Sequence, residues 1–290
     1  MSQLTDLDSP AHQPVSPAYQ LDSPAHQPVS PAHQPLRPPA QELLMLEQRA
    51  VFELGAMLAS VPMLRMMGRG DRHPVLVMPG FTAGDTSTVA LRYLIRSWGY
   101  WAHGWRLGAN IGPTAEVLAG LRDRLDMLHS RHGAPVSLVG WSLGGLYARH
   151  LARDTPEKVR QVITLGSPLQ MTPGDRSSAS GIADRLETRV DPTFTQVADY
   201  ELGPLPVAST AVYTRTDGVV RWQVCLDVAD EWHENVEVLG SHAGLGFDPS
   251  VLYVVADRLR QAENEWRPFR PPLGMRALYP KPASWEPVRS

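Results

Sequence analysis

A single cysteine, Cys225, stands in 290 residues. One thiol cannot build an internal disulfide framework, and the chain is expected to work in a reducing, cytoplasmic compartment. Excess positive charge is missing too. The 27 Lys and Arg against 30 Asp and Glu give a formal net charge of −3, which excludes the electrostatic footprint of a nucleic-acid binder. Long apolar runs are absent: the charge-free stretch from Leu54 to Leu64 is eleven residues and contains Pro62, whereas a spanning helix needs roughly 18 or more. The N-terminus lacks the basic start of a signal peptide. No His-Glu-x-x-His, no paired Cys/His spacing and no G-x-x-x-x-G-K-[ST] loop occurs, so no metal and no cofactor is expected. His129 and His132, three apart on a helical stretch, read as a solvated face.

Proline, by contrast, is abundant and uneven: nine of 27 fall in the first 40 residues. Residues 7–20 and 21–34 are a tandem 14-residue duplication that differs only at Tyr19 and His33, and Ser-Pro-Ala recurs at Ser9, Ser16, Ser23 and Ser30. The seven-residue period is no coiled coil, because proline at this density removes backbone donors and clashes with a helix. Too few large apolar residues are present to offset the entropy of ordering. Residues 1–40 are therefore predicted to be a disordered, partly polyproline-II tail. Pro35-Leu36-Arg37-Pro38 has the PxxP form of a ligand for proline-binding modules, although such tails match it by chance. His12, His26 and His33 are too sparse for a preformed metal site.

From Gln41 to Met67 the chain is apolar and rich in helix formers. It reads as a helical segment (41–68) packing its apolar side on the body, with an interfacial helix resting on lipid as the alternative. Beyond Gly70 buried strands alternate with helices. Strands are predicted at 75–78, 100–105, 135–141, 161–165, 207–214 and 235–239, with helices near 88–98, 113–132, 143–153 and 249–261. That rhythm implies an α/β domain over 69–265: a mostly parallel central sheet with helices on both faces. A polar, weakly periodic stretch at about 168–206 interrupts it as a small cap insertion. The proline-rich residues 266–290 form a C-terminal extension.

Gly140-Trp141-Ser142-Leu143-Gly144-Gly145 lies between the strongest strand and a helix. This is the nucleophile-elbow pattern: a strained turn exposes the serine, and flanking glycines let strand and helix cross closely. With VLVMPGF, HGW and LGANIGP, SLVGWSLGG, ITLGSP, YTRTDGVV and LGSHAGLG in order over roughly 70–262, the chain resembles the α/β-hydrolase superfamily, serine esterase and lipase branch. The resemblance implies Ser142 as nucleophile, followed in chain order by an acid and a histidine. His242, among small neighbours after a strand, is the expected base, with His233 its rival. Asp217, just past a strand tip, is the expected acid, with Asp227 and Asp230 as rivals that read as solvated. The oxyanion donors are expected to be the backbone N–H of Leu143 and, by resemblance, that of Phe81, with Thr82 the alternative.

These readings combine into a serine hydrolase that cleaves carboxylic esters, lipid esters among them, through an acyl-enzyme. An acyltransferase or thioesterase would use the same residues. A hydrolase-fold binding protein is the reading from another class, and it has no need of all three side chains. The expected partner is a small-molecule ester, with a lipid surface as a second contact, and no nucleic acid.

Overall fold

The computed structural model describes residues 35–67, 70–172, 174–186, 190–191, 194, 202–263 and 265–285. The repeat tail up to residue 34 and parts of the expected cap insertion (173, 187–189, 192–193 and 195–201) lie outside the described residues.

Six short runs of β-branched and aliphatic residues form one sheet. They are β1 (Pro74–Met78), β2 (Trp101–Gly104), β3 (Val136–Trp141), β4 (Val159–Leu165), β5 (Ser209–Tyr213) and β6 (His233–Glu237). All pairings are parallel, in the order β2-β1-β3-β4-β5-β6. Parallel neighbours need crossovers. These are α3 (Val89–Ser97), α4 (Ala115–His132) and α5 (Leu143–Asp154), with α7 (Pro249–Leu259) following β6; the N-terminal α1 (Gln41–Leu46) and α2 (Ala50–Arg65) and the short α6 (Ser180–Leu186) complete the set.

Alternation along β1 assigns the two faces. Val75 and Val77 join Met57 and Leu64 of α2, Leu91, Leu94 and Ile95 of α3, and the apolar side of α7. Leu76 and Met78 join Leu118, Leu121, Leu125 and Leu128 of α4 and Tyr147, Ala148 and Leu151 of α5. Helix α4 starts at Thr114, whose hydroxyl accepts from the Val117 N–H, and stops at Gly133 in the left-handed region, a placement that suits a residue without Cβ.

The last strand departs from expectation. It was predicted over 235–239 but occupies His233–Glu237, and all five of its residues are buried. Its polar side chains are paired: Glu234 accepts from Thr210 Oγ1 and Arg258 Nη1, and Glu237 accepts from Tyr213 OH. Burial of satisfied polar groups hid the strand from an apolar-periodicity reading. At the end of the expected tail, residues 35–40 are described, and the Leu36 N–H donates to Asp175 Oδ1 while its carbonyl accepts from the Arg176 N–H.

The N-terminal segment is held by few apolar contacts. Met57 and Leu64 are its buried residues in α2, and α1 has none. Leu44, Met45, Val51, Phe52, Leu58 and Met66 are exposed. Among the described residues no helix is long and apolar enough to cross a membrane. Leu64 is 0% exposed and its carbonyl accepts from the Trp98 indole. Leu64→Ala should therefore cost about 2–5 kcal/mol in urea denaturation; a loss below about 1 kcal/mol would mean that α2 is not part of the cooperative core.

Candidate active site

Parallel strands end level with one another, so the loops beyond their C-terminal ends converge on one edge. Ser142 follows β3 there with φ 53° and ψ −121°, in the region that L-residues avoid. The surrounding glycines show what holds it. A Cβ on Gly140 would lie 2.3 Å from the Gly144 carbonyl oxygen, and one on Gly144 would lie 2.5 Å from that of Met78. The Ser142 N–H donates to Leu165 O at 2.8 Å, tying the turn to the end of β4. Among the described residues Ser142 Oγ makes no hydrogen bond to protein, and it faces a cavity of about 510 Å³.

Asp217 and His242 pair with one another, and two contacts tie the pair to the turn that carries Ser142. His242 Nδ1 is 2.6 Å from Asp217 Oδ2, while Asp217 Oδ1 accepts from the N–H groups of Val219 and Val220 at 2.8 and 2.7 Å. Asp217 is 2% and His242 6% exposed. Gly166, next to the residue that binds Ser142, lies under the imidazole: a Cβ there would be 3.0 Å from Nδ1. Trp141, the neighbour of Ser142, donates its indole N–H to the His242 carbonyl at 3.0 Å. Burial pushes the imidazole pKa down, but Asp217 and then Glu47 more than offset it, leaving His242 above the ordinary histidine value.

Among the described residues three other His–Asp pairs occur. In the longest, His150 Nε2 is 3.3 Å from Asp154 on the cavity wall, and the same nitrogen is 3.0 Å from Arg122 Nη2; the surroundings of the two shorter pairs separate them from Asp217–His242. His233 Nδ1 is 2.7 Å from Asp230, but its Nε2 faces the carbonyls of Leu205 and Val207. The pair lies at the N-terminal end of β6 and lines a second cavity of about 510 Å³ that has no serine, threonine or cysteine on its walls. His233, the rival base, is thus buried at the start of β6. His73 is 2.5 Å from Asp71 on one ring nitrogen and 2.8 Å from Ser137 Oγ on the other. The three residues reproduce a serine–histidine–carboxylate order, but Ser137 is 0% exposed within β3 and no ester can reach it. Asp227, expected to be solvated, is buried against Arg149 at 2.6 and 3.0 Å and Ser209 at 2.5 Å. An inward-facing arginine requires this counter-charge.

Across the pocket mouth runs the loop after β1. Thr82 has φ 62° and spends its N–H on Asn110 O at 2.7 Å. The N–H groups of Phe81 and Leu143 have no protein acceptor among the described residues, and both residues line the cavity. Asn110, which sequence reasoning did not single out, is fully buried and pins this loop: its amide donates to Pro79 O at 2.9 Å, and its side-chain oxygen accepts from Tyr147 OH. A lone asparagine among glycines and prolines gives no local signal of such a role.

The cavity runs beneath the cap insertion along one face of α5. Leu143, Leu146, His150 and Arg153 floor it, and Pro168, Leu169, Met171, Ala183 and Phe194 roof it. The described part of the 168–206 stretch is thus the wall over Ser142.

No family model matches the chain, and no curated protein matches it. Solved structures do. One described as belonging to two metagenome-derived lipolytic enzymes, LipS and LipT, superposes with TM-score 0.53 at 18% identity, over 67% of this chain and 95% of that one. Lipase B of Aspergillus fumigatus superposes with TM-score 0.51 at 14% identity, over 69% of this chain and 55% of that one, so this chain spans about half of the fungal protein. At such identities the likeness is one of architecture, and the architecture is the α/β-hydrolase fold.

The contact at Gly144 is directly testable. Gly144→Ala should lower stability by about 1–3 kcal/mol or more in urea melts, since backbone must move. Gly55→Ala in α2, where a Cβ meets nothing within 4 Å, should be neutral or stabilising by up to about 1 kcal/mol.

Proposed function

We propose that the protein is a serine hydrolase acting on carboxylic esters with an apolar acyl chain. The observation that supports this reading is the Asp217–His242 pair, packed over Gly166 and joined to the Ser142 turn by the Trp141 indole, together with a strained Ser142 that lines a mostly apolar cavity. In this reading Ser142 Oγ attacks the ester carbonyl carbon and its proton passes to His242 Nε2. Asp217 holds Nδ1–H, fixing the tautomer and stabilising the imidazolium. The oxygen that becomes negative takes hydrogen bonds from the Phe81 N–H in the loop after β1 and the Leu143 N–H at the N-terminus of α5. The tetrahedral centre collapses, the alcohol leaves with the proton from His242, and an acyl group stays on Ser142. Water then repeats the sequence with His242 as base, releasing the acid and free Ser142.

The shape of the cavity supports an acyl chain of intermediate length. From Leu143 to Arg153 its floor follows three turns of α5, about 15 Å at 1.5 Å per residue. Its far end is polar, with Arg153 and Asp154. Each methylene buried adds about 0.8 kcal/mol, close to a fourfold gain in kcat/KM. The exposed apolar side chains of α1 and α2 support contact with lipid assemblies that carry such esters.

Ser142→Ala should lower hydrolysis of p-nitrophenyl esters by about 10⁴-fold or more, and an organophosphonate should label Ser142 alone; labelling at Ser167 or Ser241 would refute the assignment. Across an ester series kcat/KM should climb from acetate through hexanoate and fall once the chain outgrows the cavity. A maximum at acetate would rule out the acyl cavity. The active form needs neutral His242, so log kcat/KM should rise with pH through the imidazole pKa and then level off. Because that pKa is raised, the limb should lie above the position of an unperturbed histidine. His242→Ala should abolish the limb with the activity, while His233→Ala should keep the limb.

A further inference from the structure

Two loops must keep register for the site to work, and they come from different strands. Thr214 to Val220 follows β5 and carries Asp217, whereas Gly240 to Gly244 follows β6 and carries His242. Beyond the Asp217–His242 bond, and the hydrogen bonds of Thr214 Oγ1 and Thr216 Oγ1 to Gly240 O at 2.8 and 3.1 Å, they are also joined by a stretch of chain some 170–195 residues earlier in sequence. The Glu47 carboxylate accepts from the Gly218 N–H at 2.8 Å and the His242 N–H at 3.2 Å through one oxygen, and from the Ala243 N–H at 2.7 Å through the other. Arg49 spans the same gap: Nη2 donates to Thr216 Oγ1 at 2.6 Å and to Gly240 O at 2.6 Å. Glu53 accepts from the Ser241 N–H at 2.9 Å and its hydroxyl at 2.6 Å. The closeness is built into the loops as well, for a Cβ on Gly218 would lie 2.3 Å from the Leu43 carbonyl oxygen.

We propose that Glu47 is a positioning residue of the catalytic site, which clamps the acid loop to the histidine loop and sets negative charge against the imidazolium. The proposal rests on the hydrolase reading above. A segment that merely docks needs no carboxylate on the N–H groups of the base and of the residue after the acid. Helix α2 already docks through Met57 and Leu64. The two carboxylate oxygens divide their three bonds between the loops, so a shift of either loop breaks at least one. The charged groups around the imidazole are Asp217 from the β5 loop, Glu47 and Arg49 from the N-terminal segment, and Glu53 from α2 bound to the neighbouring Ser241; the Cys225 thiol lies beside Asp217. Removing Glu47 leaves Asp217 as the anion in direct contact with the ring.

The test is the pH profile of p-nitrophenyl hexanoate hydrolysis by full-length Glu47→Gln, beside Ser142→Ala, with Glu42→Gln as an exposed control on the same segment. Glu47→Gln should lose about 10- to 100-fold in kcat, the scale expected for slight misplacement of reacting groups. KM should stay close to that of the unmodified chain, and the ascending limb should move to lower pH because the imidazolium has lost a counter-charge. Glu42→Gln should change neither. Glu47→Asp keeps the charge on a shorter arm: it should restore the position of the limb while kcat remains reduced. It also carries the test should Glu47→Gln not fold, and an Asp variant with unreduced kcat would then overturn the clamp. A folded Glu47→Gln with unchanged kcat and limb overturns the proposal. So does a rate loss that tracks a falling Tm with the limb unmoved, which would make Glu47 a structural anchor. If Ser142→Ala stays active, the hydrolase reading fails instead.

Discussion

The chain crossing at Gly144 fixes the position of everything else at the site. Helix α5 can start where it does because Gly144 presents no side chain to the Met78 and Pro79 carbonyls, and β3 can end where it does because Gly140 presents none to the helix. With the backbones of β1, β3 and α5 in direct contact at these glycines, Ser142 takes up positive φ. Its strain of about 1–3 kcal/mol is held by the sheet. The Phe81 and Leu143 N–H groups, which have no protein acceptor among the described residues, are on the two segments that meet there.

Geometry alone does not select the working residues. Three histidines here have an aspartate within 2.7 Å, and one of the other two pairs even includes a serine. What distinguishes them is the surroundings of each ring. His73 is enclosed with Ser137, and His233 faces two carbonyls. His242 packs over Gly166 and is joined by the Trp141 indole to the turn that carries Ser142.

Much of this was legible in the sequence because the elbow is a local constraint. Glycines two before and two after a serine, between an apolar strand and a helix, describe one turn, and the order of elements gave the parallel sheet. Glu47, Arg49 and Glu53 were not legible. As charges scattered over a helical segment they have the pattern of a solvated face, and their partners lie between 167 and 196 residues away. Polar residues in β6 and Asp227 misled for the same reason. Each is buried by a specific partner, Arg258, Tyr213 or Arg149, and pairing over such distances leaves no trace in periodicity.

The arrangement of Glu47 also sets a timetable for the nascent protein. At a synthesis rate of about 5–20 residues per second, Glu47 leaves the ribosome roughly 10–40 s before the backbone amides it binds around His242. Over that interval the sheet can grow from β1 to β5 with the elbow already formed, while the N-terminal helices wait with their carboxylates solvated. Contacts of such long sequence separation form late and slowly. The Glu47 bonds to the two loops can therefore form only after residues through Ala243 have been made.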